Sequence, residues 1–287
     1  MFDVLPTKDY TSPDRDLSWF ARTFPSAIFY PKMIGIVIRA SNKAKRSMYD
    51  GRAWIESSRT ICSALESAGV RLKIENVSLL AKLDSPCVFV GNHMSTLETF
   101  VLPSIIQPHR PVTFVVKRSL VKYPVFKHVM FSRDPVVVER QNPRNDFKTV
   151  VEKGCRRLEK GISIVVFPQS TREPEFDPQK FNSMGVKLAK RAGVPVVPFA
   201  LKTDAWGNGK LLKDFGKIDP KKTVHVHFHE PMTVTGAGKD EHAHIVEFIQ
   251  GKLEQWHREG GPSPGLPPMG GVPQQENNRN NSCPLPS

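Results

Sequence analysis

Between Val70 and Phe228 the chain sets short apolar runs, many of them β-branched, among longer amphipathic stretches, and this alternation constrains the fold more than any other feature. The runs are Val70–Ile74, Cys87–Val90, Val112–Val116, Val136–Val138, Ile162–Phe167, Val194–Leu201 and Val224–Phe228. Helical patterns occupy Asp146–Leu158, Phe181–Arg191 and Glu241–Trp256. In the first run Val70, Leu72 and Ile74 alternate with Arg71 and Lys73, as in a half-covered strand. Most of the others are predominantly apolar, as in strands buried on both faces, while His225 and His227 alternate within Val224–Phe228. Buried strands alternating with helices predict an α/β fold: a mostly parallel central sheet flanked by helices, with an N-terminal helical segment. Ligands of such sheets bind outside the carboxyl ends of the strands.

Three regions follow: 1–69, an N-terminal helical segment; 70–258, the α/β domain; and 259–287, a tail rich in Pro, Gly, Asn and Gln that is expected to be disordered. In the first region Trp54, Ile61, Leu65 and Ala68 share one helical face, and Gly69 stands where a glycine ends a helix. No stretch reaches the ~18–20 uninterrupted apolar residues of a membrane span. The nearest, Trp19–Ile38, is broken by Arg22, Pro25, Pro31 and Lys32, and Arg39, Lys43, Lys45, Arg46 and Arg52 follow it. Aromatic and aliphatic bulk beside a basic run is the pattern of a segment lying in a membrane interface; a packed helix with a solvated basic flank has the same pattern.

The formal net charge of +13 points to an anionic partner: a phosphate-bearing substrate, an acidic carrier protein, an anionic membrane surface or nucleic acid. No nucleic-acid motif is present, and the aromatics gather near the N-terminus instead of interleaving with basic strand ends, so nucleic acid is not expected. The four cysteines, Cys62, Cys87, Cys155 and Cys283, are scattered without disulfide spacing, and the start of the chain lacks a signal-peptide pattern. A cytoplasmic setting is the expectation.

Chemistry concentrates after the run Cys87–Val90, in Gly91-Asn-His-Met-Ser-Thr-Leu-Glu-Thr-Phe100. His93 and Glu98 put an imidazole and a carboxylate at a strand's end, a general base with an acid to fix its tautomer. Neither a Gly-x-Ser-x-Gly elbow nor an activated cysteine accompanies them, so the nucleophile expected is a hydroxyl of the substrate. Ser95-Thr-Leu-Glu98 is equally a capping box, in which Glu98 reaches back to the Ser95 N–H. Cations follow other strands: Lys117 and Arg118, Arg140, and Arg172 within Phe167-Pro-Gln-Ser-Thr-Arg172. A guanidinium at a strand end suits bidentate phosphate binding, although solvated charge is its commoner fate. His225, His227 and His229 alternate along one strand face, a solvated face or, less readily, a metal site. No metal is assigned.

Together, Asn92-His93-x-Ser95-x-Leu97-Glu98, Lys117, Tyr123-Pro-Val-Phe126, Arg140, Phe167-Pro168 with Thr171-Arg172, and Val194-Pro-Val-Val-Pro198 resemble, in order and spacing, the four motif blocks of the glycerolipid (1-acylglycerol-3-phosphate) acyltransferase family, across roughly 70–231. The resemblance implies that 70–258 is an acyltransferase domain. It would move a fatty acyl group from a thioester, acyl-CoA or acyl carrier protein, to a lysophospholipid hydroxyl, with no further cofactor. The default acceptor is 1-acyl-sn-glycerol-3-phosphate and the product phosphatidic acid, made at the cytoplasmic membrane face by a peripheral or monotopic protein. In that picture His93 is the base, Glu98 orients it, and Lys117, Arg140, Thr171 and Arg172 bind the acceptor.

The chain departs from the family pattern at three places. Glu98 stands where the family usually has Asp, although the related lipid A acyltransferases commonly use Glu. Gln169 and Ser170 replace the usual Glu and Gly, and the glycine usually found near Phe126 is absent. The acceptor is thereby left open between lysophosphatidic acid and another lipid, lipid A-like or an amino-lipid. A non-catalytic protein binding anionic membrane or nucleic acid is the alternative from a different class.

Overall fold

A computed structural model describes residues 8–169, 171–209 and 214–259. Ser170, Cys283 and the tail from 260 onward lie outside them. The chain runs β1 (Tyr10–Thr11), α1 (Trp19–Thr23), α2 (Pro25–Lys45), α3 (Gly51–Ser67), β2 (Leu72–Glu75), α4 (Ser78–Ala81), β3 (Val88–Gly91) and α5 (Glu98–Ile106). It continues through β4 (Val112–Lys117), α6 (Phe126–Phe131), β5 (Val136–Val138), α7 (Pro143–Glu159), β6 (Ser163–Val166), α8 (Met184–Ala192), β7 (Val196–Lys202), β8 (Val224–Phe228) and α9 (Lys239–Glu259).

One eight-stranded sheet has the order β1-β2-β8-β7-β3-β6-β4-β5. The five strands β7, β3, β6, β4 and β5 are all parallel, so their carboxyl ends meet along one edge. This is the expected α/β architecture, with two differences. Strand β8 runs antiparallel to β7, because the chain between them returns without a crossover helix among the described residues. Strand β1, antiparallel to β2, interrupts the helical N-terminal region. It is held by the buried carboxylate of Glu66 on α3, which accepts hydrogen bonds from Tyr10 Oη (2.5 Å), Ser12 Oγ (2.6 Å) and Arg15 Nη2 (2.7 Å).

Alternation along the strands feeds a core on each face. Phe89 joins Phe199, Leu97, Trp206 and residues of α2 and α3 on one side. Val88 and Val90 join Ile164, Val166, Leu188, Ile249 and Trp256 on the other. Each fully buried Phe or Leu contributes about 1.5–3 kcal/mol by leaving water. Trp54, Ile61, Leu65 and Ala68 are buried as their helical spacing predicts, so α3 packs on the same core as the sheet. Asp50 Oδ1 caps its start, accepting from Ala53 N at 2.8 Å, and Gly69 ends it at φ +90°, a conformation L side chains rarely adopt.

Candidate functional site

Strand β3 lies between β7 and β6 and delivers His93 two residues past its last residue, Gly91. A Cβ at Gly91 would stand 2.3 Å from the Phe199 ring, so only glycine lets β3 run this close to β7. The side chain of Asn92 prolongs that pairing. Its Nδ2 donates to the Leu201 carbonyl and its Oδ1 accepts from the Leu201 N–H, each at 2.8 Å. The backbone is thereby fixed immediately before the histidine.

His93 is hydrogen-bonded through Nδ1 to Glu98 Oε2. The other carboxylate oxygen, Oε1, accepts from the backbone N–H of Met94 and of Ser95 (2.8 Å each) and from the Thr203 hydroxyl (2.5 Å). Glu98 is fully buried, and these donors compensate its loss of water. The Ser95 N–H contact is the one a capping box predicts, and the same carboxylate also holds the His93 ring. The cap is incomplete: Ser95 Oγ accepts from Leu97 N at 3.1 Å, one residue short of the helix's first position, Glu98.

With Nδ1 engaged, a neutral imidazole keeps Nε2 as its acceptor. The ring stacks on Phe167 (centroids 4.4 Å apart, planes 13° apart), at the end of β6. The backbone is gripped on both sides: the His93 N–H donates to Gln169 Oε1 at 2.6 Å, and the His93 carbonyl accepts from Glu173 N at 3.0 Å. Gln169 is almost fully buried and acts as a strut between the loops after β3 and β6.

The expected cations share this edge but differ in surroundings. Lys117, the last residue of β4, is exposed. Arg140 has a left-handed backbone, φ 57°, and its Nη1 donates to the Gln169 carbonyl at 3.3 Å; partial burial lowers its pKa below the ordinary arginine value. Such a backbone costs a non-glycine residue on the order of 1–3 kcal/mol. Thr171 Oγ1 donates to Glu173 at 3.2 Å. Arg172 is ion-paired with Asp214 at 2.7 Å and donates to the Thr96 hydroxyl, which itself donates to Asp214 at 3.0 Å. Arg118 pairs with Glu139.

Beside α5, whose first residue is Glu98, lies an apolar cavity lined by Ile36, Ala40, Trp54, Ile61, Phe100 and Phe114. Arg133 sits at its wall, the guanidinium 5.5 Å from the Trp54 ring centre. Helix α9 packs over the face of His225, His227 and His229, burying His225 and leaving His227 and His229 half-buried, and among the described residues the three form no metal-ligand group. His225 stacks on Trp256 at 4.8 Å, while His227 and His229 lie 5.9 and 4.8 Å from Phe248.

Thr203 and Asp214 were missing from the sequence-derived candidates. Thr203 had a signal, a polar residue directly after the apolar strand β7 on the edge where ligands bind. Asp214 had none.

Residues 71–202 match the family model described as Acyltransferase. Over 133 residues the chain is 33% identical to the 1-acyl-sn-glycerol-3-phosphate acyltransferase of Pseudomonas aeruginosa, covering 46% of this chain and 50% of that protein. Identity is 32% over 140 residues to BAT2, a chloroplastic 1-acyl-sn-glycerol-3-phosphate acyltransferase of Brassica napus, covering 48% and 38%. It is 24% over 172 residues to the Escherichia coli enzyme of the same name, covering 58% and 65%. The chain thus spans half or less of the length of the first two relatives. The crystal structure of the 1-acyl-sn-glycerophosphate acyltransferase PlsC from Thermotoga maritima has the same fold, with TM-score 0.60 at 18% identity over 82% of this chain and 95% of that one.

Proposed function

We propose, from the acyltransferase family to which residues 71–202 of this chain belong, that the protein transfers a fatty acyl group from a thioester to a lysophospholipid hydroxyl, with 1-acyl-sn-glycerol-3-phosphate as acceptor and phosphatidic acid as product. The observation that carries this reading is the bond from His93 Nδ1 to the buried Glu98 carboxylate at the carboxyl end of the central strand. His93 Nε2 takes the proton from the acceptor hydroxyl as its oxygen attacks the thioester carbonyl. Glu98 holds the ring in the tautomer that leaves Nε2 free and balances the imidazolium. The carbon–sulfur bond then breaks, and the proton passes to the departing thiolate. The thiol released is that of coenzyme A or of the carrier protein, and the acyl group now forms an ester with the acceptor oxygen.

Lys117, Arg140, Thr171 and Arg172 meet the acceptor's phosphate on the same strand-end edge. For Arg172 this means exchanging its Asp214 partner for phosphate or sharing it. The apolar cavity beside α5 takes the acyl chain. The donor is acyl-CoA or acyl carrier protein, and no cofactor is needed.

The protein works at a membrane surface, on the cytoplasmic face. Among the described residues no helix is long and apolar enough to cross a membrane. Trp19 and Phe20 on α1, Phe24 at the junction, and Ile34 and Ile38 on α2 are exposed, and Lys43, Lys45 and Arg46 follow, which suits an anionic interface.

The test is purified full-length protein incubated with a panel of lysolipids and isotopically labelled acyl-thioesters, read by mass spectrometry. Labelled phosphatidic acid is expected from lysophosphatidic acid. Product only with another acceptor moves the substrate and keeps the reaction class; no product with any acceptor rejects the reading.

A further inference from the structure

Two histidines that make no contact given for the His93 site face each other between the sheet and its last helix. His229 directly follows β8 and is anchored by its N–H to the Pro198 carbonyl at 2.9 Å. His244 projects from the second turn of α9, and the two Nε2 atoms are 3.2 Å apart. Nδ1 of His229 lies 3.0 Å from the Glu230 carbonyl oxygen. A carbonyl only accepts, so Nδ1 carries the proton and Nε2 of the neutral ring is left as a bare lone pair opposite His244.

The separation suits a chelate as well as a hydrogen bond. Two nitrogens bound at 2.0–2.1 Å to a tetrahedral ion lie about 3.3 Å from each other. A carbonyl on the far nitrogen is the usual device that fixes the tautomer and heading of a metal-ligating imidazole. Phe248 walls one side of the pair, its ring centre 4.8 Å from that of His229, and the other side is open to solvent. The neighbouring histidines are occupied: His227 contacts Asn76 Nδ2 at 3.0 Å, and His225 is stacked on Trp256.

We propose that His229 and His244 form a two-histidine site for a divalent transition-metal ion of the zinc class, a clip between α9 and the sheet. Among the described residues no third His, Cys, Asp or Glu is grouped with them to complete a set, so water fills the remaining positions. Bound to the folded chain alone, the ion stabilises it in proportion to its concentration over its Kd. The site is independent of acyl transfer.

Tag-free full-length protein titrated by calorimetry with Zn²⁺, Ni²⁺ and Cu²⁺ tests it. One ion per chain is expected, with Cu²⁺ the tightest, as imidazole ligands dictate, and Zn²⁺ should raise the Tm. H244A and H229A should each weaken Zn²⁺ by roughly tenfold or more and abolish the Tm rise. H257A, in the last turn of α9, should retain both. His244 is exposed, so H244A keeps the fold, and its Tm without metal verifies this. No Zn²⁺ binding by the native chain into the millimolar range, or unaltered binding by both variants, overturns the site; the facing rings are then only a hydrogen-bonded pair.

Discussion

His93 and Glu98 are joined through Nδ1 and Oε2, while the other carboxylate oxygen of Glu98 is saturated by two backbone N–H groups and the Thr203 hydroxyl. The carboxylate therefore holds the loop as well as the imidazole. Its replacement should be felt twice.

Glu98→Gln keeps the shape and one acceptor oxygen, which can stay with the Met94, Ser95 and Thr203 donors, but sets its NH2 against His93 Nδ1. We expect kcat to fall by about 10²–10⁴, and stability by about 1–3 kcal/mol as the His93 ring loses its carboxylate acceptor. Steady-state kinetics alongside urea unfolding measures both. A drop in stability with unchanged kcat would leave Glu98 a loop anchor only.

Thr203→Val separates anchoring from chemistry. It removes one donor to Glu98 and the acceptor of the Ser95 hydroxyl, a loss of about 1–2 kcal/mol. Its effect should fall on kcat more than on KM, because no substrate atom is placed by Thr203. A change confined to KM for the acceptor contradicts this assignment.

Burial, with Lys202 and Lys73 adding to it, lowers the His225 pKa from 6.5 to about 4. Between these values the unfolded chain binds a proton that the folded chain refuses, so stability is fully present above pH 6.5 and falls as pH drops toward 4. The loss is on the order of 1–3 kcal/mol. His225 Nδ1 has no hydrogen-bond partner among the described residues, and the ring stacks on Trp256, so His225→Phe should fold. Urea midpoints between pH 7 and 4.5 should decline less steeply in that variant; equal slopes would assign the loss to other groups.

The triple variant W19A/F20A/F24A strips exposed aromatics from α1 and its junction with α2. Sedimentation with anionic vesicles should show binding weakened by roughly tenfold or more, with activity on detergent-dispersed acceptor retained. Unaltered vesicle binding would remove α1 from the membrane contact.

The sequence is legible where local pattern decides. Short apolar runs place the strands within one or two residues, and the Ser95–Glu98 spacing reveals that the carboxylate turns back on its own backbone. Long-range pairing is not so encoded. Gln169 meets His93 across 76 positions, Thr203 meets Glu98 across 105, and Arg172, expected to await phosphate, already has Asp214. The antiparallel course of β8 was hidden for a related reason: a buried strand has the same composition in either direction. The histidines of β8 were expected to face solvent because nothing local announces that α9, beginning at Lys239, folds back over them.

The central claim is that His93 is the base acting on the acceptor hydroxyl, and His93→Ala tests it most directly. The variant and the native protein are given the same acyl-thioester and lysophosphatidic acid, with labelled phosphatidic acid quantified by mass spectrometry and Tm recorded in parallel. Turnover lower by about 10²–10⁴ with Tm nearly unchanged is the predicted result. Native-like turnover in His93→Ala contradicts it.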